Sequence, residues 1–400
     1  MTDNQAKTIF ISSLEHSAEL HCANLVRTVN SLRRQSLLME KPTADIKKSR
    51  TPATICWVGF GGSDLANASC SLLEQTVKRA SMLYNVFSQI GYYRKLIQTA
   101  KQYFKRHRPD LVIVCDSPAF NFHIARLAKK LGIPVLFYVA PQLWAWAPWR
   151  IGKLRRYCDR LACILPFEEK WFQSRGVKAE FVGNPLLDNL PGPVSANVKD
   201  YRTYEPNCAK IALLPGSRKA EIQSLWPAMQ EIGKLIRERF GGVKFVAVAA
   251  DADKLGMLKS LAINDLDVEY RTSGLVEAAM ECDFALVASG SASLQVAAAG
   301  CPMIVMYQSN KMLWHLLGRW IVRLKHLSLV NILAGREVAA EFMPYFKSIE
   351  PIVRKSLEIL DDREILARQS RELVKVVEPM AKGCAAEKTA KIVFEMLNIA

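Results

Sequence analysis

The stretch Leu111–Val139 reads LVIVCDSPAFNFHIARLAKKLGIPVLFYV, and its apolar period changes twice. Leu111–Cys115 is a short continuous apolar run, as a strand would be. Phe120, Ile124, Leu127, Ala128 and Leu131 then recur at spacings of three and four, which is one face of a helix. Gly132 ends that helix and Pro134 follows it, both common stop signals. Val135–Val139 is a second apolar run, so the stretch reads as strand, helix, strand.

The same alternation covers most of the chain. Further strands are predicted at Thr8–Ile11, Ala53–Val58, Leu161–Leu165, Lys210–Leu214, Val243–Ala249, Phe284–Ala288 and Met303–Tyr307. Strands separated by helices favour parallel sheets with helices on both faces, so the fold class is α/β with doubly wound, Rossmann-like sheets. Leu190–Asn207 breaks the pattern with Pro191, Gly192, Pro193, Ser195 and Pro206, and reads as an interdomain linker. It separates an N-terminal domain, 1–190, from a C-terminal domain, 208–375, with a cleft expected between them. Residues 40–52, polar and basic, read as a surface loop.

With 400 residues, half of them hydrophobic, the chain can bury two cores. Its 54 basic and 38 acidic residues leave a net charge of +16, which favours an anionic partner: nucleic acid, an acidic membrane surface or a phosphorylated substrate. The first residues lack the layout of a secretory leader, and no apolar run is long enough to span a bilayer. Ten scattered cysteines without a Cys-x-x-Cys pair read as reduced thiols, and the protein is expected in the cytoplasm.

Three loops carry the signals for chemistry. Leu214-Pro215-Gly216-Ser217-Arg218 joins a predicted strand to a helix starting near Ala220. Gly216 allows backbone N–H groups to approach an anion, and Arg218 adds a forked, permanently charged donor. An ordinary turn with a surface arginine is the competing reading. Ala288-Ser289-Gly290-Ser291-Ala292-Ser293-Leu294 also leaves a strand and opens a helix of small residues, which suits a phosphate as well as tight packing. Asn331-Ile332-Leu333-Ala334-Gly335-Arg336-Glu337 is too particular a string for packing alone. Together the three read as a surface for holding a nucleotide diphosphate.

Asp116 follows the strand Leu111–Cys115 and is either a base for an acceptor hydroxyl or a helix cap. Asp251-Ala252-Asp253 resembles a metal-binding Asp-x-Asp, but helix-start chemistry suits it better, and no metal or other cofactor is expected. Tyr138, Trp144, Trp146 and Trp149 crowd one loop, either to meet a sugar ring or acyl chains or as a satellite core. Two segments mix apolar and basic residues. One holds Met82, Leu83, Val86, Phe87, Ile90, Leu96 and Ile97 with Arg94, Lys95, Lys101, Lys105, Arg106 and Arg108. The other holds Met312, Leu313, Leu316, Leu317, Trp320 and Ile321 with Arg319, Arg323 and Lys325. Such helices suit an anionic bilayer surface, against the alternative of core-facing helices with solvated charges.

Together these residues resemble the lipid-A-disaccharide synthase family, glycosyltransferases of the GT-B fold. The resemblance runs from about Pro109 to Glu341, through Asp116-x-Pro118-x-Phe120-Asn121, Tyr138-Val139-x-Pro141 with Trp144-Ala145-Trp146, and Leu165-Pro166-Phe167-Glu168. It continues in Phe181-Val182-Gly183-x-Pro185-Leu186 and the three loops above. It implies transfer from UDP-2,3-diacylglucosamine to 2,3-diacylglucosamine 1-phosphate, giving a β-1,6-linked disaccharide 1-phosphate and UDP, with inversion and without a metal. Asp116 matches the base for the acceptor hydroxyl. Arg218, with Gly216, Ser217, Ser289, Gly290 and Ser291, matches the cradle of the departing diphosphate, and Asn331 and Arg336 match positions near the nucleotide. Gln295 stands where the family has a glutamate that holds the ribose.

The resemblance places Glu15, Ser17, Glu19, Trp144 and Trp146 on the acceptor side. It departs there: Leu14-Glu15-His16-Ser17-Ala18-Glu19 replaces a Gly-Glu-x-Ser-Gly-Asp string, and Gly61-Gly62-Ser63-Asp64-Leu65 replaces Gly-Gly-Pro-Arg-Met. Asn184 and Gln308 replace a histidine and an arginine. Helices in about 376–400 are expected to cross back to the first domain, and peripheral association with the inner membrane is implied. A homodimer stays open, and so does a non-catalytic or acceptor-shifted relative that binds a UDP-sugar or glycolipid. Bare nucleic-acid binding would use the charge but leave the ordered motifs unexplained.

Overall fold

Thirteen strands among the described residues form two wholly parallel sheets, each with its own hydrophobic core. The computed structural model describes residues 6–39, 54–77, 86–309 and 324–399. The expected loop at 40–52 and most of the second basic–apolar segment, from Met312 to Arg323, lie outside them.

The chain divides into two compact units. The first runs to Asp188 and takes back the residues from Gly383 onward. Its elements are β1 (Lys7–Ser12), α1 (His16–Met39), β2 (Ile55–Gly61), α2 (Ser63–Asn67), β3 (Cys70–Gln75), α3 (Val86–His107), β4 (Leu111–Cys115), α4 (Pro118–Lys130), β5 (Val135–Tyr138), α5 (Leu143–Trp146), α6 (Ile151–Tyr157), β6 (Arg160–Cys163), α7 (Glu168–Gln173) and β7 (Ala179–Phe181). The sheet order is β3-β2-β1-β4-β5-β6-β7. Phe10, Phe60, Val112, Val114 and Phe137 face one buried cluster, and Ile9, Ile11, Ile113, Leu136 and Tyr138 face another. Alternate residues therefore bury opposite faces, which is why these strands read as unbroken apolar runs.

The second unit is Asn189–Lys382. It contains β8 (Lys210–Leu214), α8 (Lys219–Phe240), β9 (Lys244–Ala249), α9 (Ala252–Ser260), β10 (Val268–Thr272), α10 (Leu275–Glu281), β11 (Phe284–Ala288), α11 (Ala292–Ala298), β12 (Met303–Met306), α12 (Leu329–Ala334), β13 (Ala340–Phe342), α13 (Glu350–Asp361) and α14 (Arg363–Val377). The order is β10-β9-β8-β11-β12-β13. A last helix, α15 (Ala385–Leu397), packs in the first unit: Asp188 accepts from the N–H groups of Ala385 and Ala386 at 2.7 and 3.0 Å, and Arg160 reaches Glu395 at 3.0 Å.

Leu190–Asn207, read from sequence as a linker, belongs to the second unit and is bonded down to it. The Asn197 amide donates to the Ala298 carbonyl at 2.8 Å, the Lys199 N–H to Ser370 Oγ at 2.9 Å, and the Tyr201 hydroxyl to the Asp283 carbonyl at 2.8 Å. Proline and glycine here set the path of an ordered segment instead of loosening it.

Four strands escaped the sequence reading: β3, β7, β10 and β13. They are the two edges of each sheet. An edge strand has one neighbour and is partly open to solvent, so its residues need not form an apolar run. The exposed or half-buried positions of Cys70–Gln75 and Val268–Thr272 follow that rule.

Candidate functional site

In an open parallel sheet the crevice at the carboxyl ends of the strands opens where strand order reverses direction. In the second unit that point lies between β8 and β11, paired in register from Phe284↔Ile211 to Val287↔Leu214. The loop 215–218 leaves β8 and the loop 289–291 leaves β11, so two segments far apart in sequence emerge from adjacent strands at the same end of the sheet. In the first unit the reversal lies between β1 and β4, paired from Ile9↔Leu111 to Ser12↔Val114. Asp116 leaves β4 there, while Glu15, Ser17 and Glu19 follow β1.

Asp116 is half-buried and, with Ser117, adopts left-handed backbone angles (φ 50° and 42°). Val139, at the end of the neighbouring β5, has φ 61°. Such angles are costly for residues with a β-carbon, above all a branched one, and the surrounding structure must impose them. Asn121 does so. Its amide donates to the carbonyls of Cys115 and Asp116 at 2.9 and 2.8 Å, and its oxygen accepts from the Ser12 hydroxyl at 2.8 Å. One fully buried side chain thereby ties the ends of β4 and β1 to the first turn of α4. Ser117, not Asp116, occupies the N-cap position of α4, and it makes no side-chain capping bond.

The turn 216–218 is tighter than the sequence implied. Gly216 has φ 101°, and a β-carbon on it would lie 2.4 Å from Glu221 Oε2. That same carboxylate oxygen accepts from the N–H groups of Ser217 and Arg218, both at 3.2 Å. These backbone donors, read as open to an anion, are thus engaged by Glu221 in the first turn of α8. Arg218 is exposed and meets Glu221 Oε1 at 3.3 Å through one guanidinium nitrogen. What the turn presents outward is a guanidinium and the Ser217 side chain, not a cradle of peptide N–H groups. In the loop after β11 Ser289 and Gly290 are half-buried and Ser291 is exposed, and the Ser293 hydroxyl closes the turn on the Gly290 carbonyl at 2.8 Å. Gln295 is half-buried on α11.

Asn331, expected near the nucleotide, has its side chain engaged within the protein. It is fully buried; its amide donates to the Ala339 carbonyl (2.7 Å) and Glu341 (3.0 Å), and its oxygen accepts from the N–H groups of Val338 and Ala339 at 2.8 and 3.0 Å. With donors and acceptor all engaged, Asn331 fastens α12 to β13. Glu341 also accepts from the N–H groups of Leu327 and Ser328 at 3.0 and 2.9 Å. Burial raises its carboxyl, but these hydrogen bonds outweigh burial and hold it below the ordinary range. Arg336, past the left-handed Gly335 that ends α12, is exposed and pairs with Glu372 at 3.1 Å.

Glu19, expected on the acceptor side, is also turned inward. It is buried and accepts from the N–H groups of Asp64 and Leu65 at 2.8 and 3.2 Å, capping α2. Burial raises its carboxyl, and bonds from His16, Leu65 and Asp64 bring it net below the usual value. His16, Glu19 and Asp64 bring potential ligand atoms within 4.8 Å of one another, but the capping bonds account for Glu19 without an ion. Glu15 and Ser17 remain exposed. Asp251 caps α9 by accepting from the Lys254 N–H at 2.8 Å. Asn184 accepts from the Leu186 N–H at 3.1 Å and Gln308 from the Phe346 N–H at 3.0 Å, so both substituted positions serve local structure.

The aromatic loop after β5 is part core and part surface. Trp146 packs on the first unit's core under Arg150, whose guanidinium lies 5.0 Å from the ring centre, while Trp149 is 67% exposed. Trp144 is half-buried and its indole N–H donates to Glu168 at 2.9 Å. In α3 Leu96, Ala100 and Phe104 are buried in the core, Ile90 is 44% exposed, and Arg94, Lys101, Lys105 and Arg106 lie on the solvent side. The buried residues of that helix face the core, and Met82 and Leu83 of the same segment lie outside the described residues. No described helix is long and apolar enough to cross a membrane. Asn121, Glu168, Glu221 and Glu341 were not singled out from sequence, although Asn121 and Glu168 stood inside motifs that were.

Comparison with solved structures shows that this two-sheet architecture is the GT-B fold. An S. aureus MnaA–UDP co-structure matches with a TM-score of 0.61 at 13% identity, covering 99% of this chain and 98% of that one. MurG of Acinetobacter baumannii matches at 0.53 and 13%, covering 97% and 99%. The sequence is more specific. The family description lipid-A-disaccharide synthetase matches residues 9–393. Lipid-A-disaccharide synthases of Syntrophus aciditrophicus and Geobacter metallireducens are 32% and 30% identical to it, each alignment covering 98% of both chains. The chain belongs to the lipid-A-disaccharide synthase family.

Proposed function

We propose that this protein is an inverting glycosyltransferase of lipid A biosynthesis, joining UDP-2,3-diacylglucosamine to 2,3-diacylglucosamine 1-phosphate. The acceptor 6-hydroxyl oxygen attacks the donor's anomeric carbon, the bond to UDP breaks, and the hydroxyl proton passes to Asp116. Support comes above all from the loops that bear these residues, each leaving its sheet where the strand order reverses.

Arg218 stabilises the charge that develops on the departing diphosphate, with Ser217, Ser289 and Ser291 as neutral donors, a task a metal ion performs in other enzymes. Arg336 and Gln295 serve the nucleotide, and Asn331 keeps the 331–337 segment in shape for them. Glu15, Ser17, Trp144 and Trp146 belong to the acceptor side. Both substrates carry acyl chains, and the exposed Arg94, Lys101, Lys105 and Arg106 draw the protein to the anionic inner-membrane surface as a peripheral protein.

The test is purified protein with labelled diacylated donor and acceptor. Wild type should yield disaccharide and UDP, and Asp116→Asn should abolish transfer while UDP binding is retained. UDP release without disaccharide would mean a different acceptor, and absence of both turnover and donor binding would defeat the enzyme reading.

A further inference from the structure

Glu168 is a buried carboxylate that the proposed chemistry leaves unused. It starts α7, just beyond β6, with no exposed surface. Three N–H groups point at it: the Trp144 indole on Oε1 at 2.9 Å, and the backbone of Ile164 and Leu165 on Oε2, both at 3.1 Å. Two of these bonds are local and close the turn that leads into α7. The third spans 24 residues to a half-buried ring in the aromatic loop. The Trp144 ring also meets Phe167 edge-on, with centres 4.9 Å apart and planes at 81°.

Packing alone does not call for a carboxylate here. Full burial of a charge is unfavourable, and an apolar side chain would fill the same space without that cost. A carboxylate becomes useful when one side chain must accept from a turn and from a distant indole together. We propose that Glu168 is a positioning residue for the acceptor: it holds Trp144, and with it the segment 143–150, in the orientation that receives the acceptor. The inference rests on the reading of that aromatic segment as part of the acceptor side.

The chemistry of the group supplies a readout that plain packing would not. Burial, only partly offset by the three N–H bonds, pushes the Glu168 carboxyl up to about 7. Cys163 on β6 is its titratable neighbour from another element, and burial holds that thiol far above neutrality, so it stays uncharged. Glu169, next along the chain, meets Gln173 at 3.3 Å, and Arg150 on the aromatic segment lies over Trp146. Above pH 7 Glu168 is ionised and its grip on the indole is strong; protonation below that weakens it.

The experiment compares full-length wild type, Glu168→Gln, Trp144→Ala and the double variant over pH 6–8, with acceptor and donor varied separately and melting temperatures recorded. For Glu168→Gln the acceptor KM should rise about tenfold, the size of one hydrogen bond to a charged group, with kcat and donor KM nearly unchanged. Acceptor kcat/KM in wild type should rise through pH 7, and the variant should lack that step. The double variant should be no worse than Trp144→Ala. If Trp144→Ala raises the acceptor KM while Glu168→Gln does not, the positioning role is wrong and the aromatic reading stands. If neither changes it, the aromatic reading itself has failed, and this inference with it.

Discussion

Replacing Asn121 with alanine tests whether the turn that carries Asp116 is held by one side chain. Three hydrogen bonds are lost, to the carbonyls of Cys115 and Asp116 and from the Ser12 hydroxyl, all between 2.8 and 2.9 Å. At a net value of roughly 1 kcal/mol each, and with the buried Ser12 hydroxyl left without its acceptor, the cost should be about 3–4 kcal/mol. The left-handed angles at Asp116 and Ser117, each costing roughly 1–2 kcal/mol, gain a reason to relax once those bonds are gone, which offsets part of the stability loss and moves Asp116. Urea unfolding should show that loss. Under conditions where the variant is still folded, kcat should drop about a hundredfold, as expected when a reacting group shifts by about an ångström, with little change in either KM. Ser12→Ala removes only one of the three bonds and should cost about 1 kcal/mol with kcat close to wild type. An Asn121→Ala protein that is folded and turns over at the wild-type rate would refute the idea that Asn121 sets the Asp116 geometry.

Other substitutions separate the remaining roles. Arg218→Ala should lose roughly 2–4 kcal/mol of transition-state stabilisation, by analogy with removing an oxyanion donor, and unchanged kinetics would take Arg218 out of the site. Asn331→Ala should lower stability by several kcal/mol, because four buried bonds lose their partner, and isothermal UDP titration of the folded variant should show a smaller effect; the reverse pattern would restore a ligand contact. Glu168 carries a pH signature in stability. Its carboxyl sits near 7 folded against 4.5 unfolded, so between those values the folded state holds the extra proton and stability must fall as pH rises, levelling off above 7. The full effect is roughly 3 kcal/mol, to be read as the difference between wild-type and Glu168→Gln unfolding curves from pH 4.5 to 8. Binding to anionic vesicles should weaken with salt and on neutralising Arg94, Lys101, Lys105 and Arg106; indifference to both would reject the electrostatic attraction.

The stretch from Leu111 to Val139 shows how far the residues speak for themselves. The middle of a strand buried on both faces is apolar on successive residues, so the interior strands of both sheets were readable from their unbroken apolar runs. The loops leaving β4, β8 and β11 could be named for the same reason, since they begin where such a run ends. Strands at the sheet edges are freed from that demand and blended into loop sequence. Leu190–Asn207 misled in the opposite sense, because proline and glycine announce a bend and say nothing about whether hydrogen bonds pin it down.

Sequence by itself therefore determined the fold class, the family and the short list of polar residues near the strand ends. Only the tertiary structure decided which of those residues are available to a ligand. Asn331 and Glu19 look like site residues in a string of letters, yet each has its hydrogen-bonding capacity engaged by backbone groups that folding brings beside it. Glu221 answers the N–H groups of Ser217 and Arg218, and Asn121 and Glu168 hold other groups in place. A polar side chain contributes to chemistry or to architecture according to which partners lie within about 3 Å, and those partners come from remote parts of the chain.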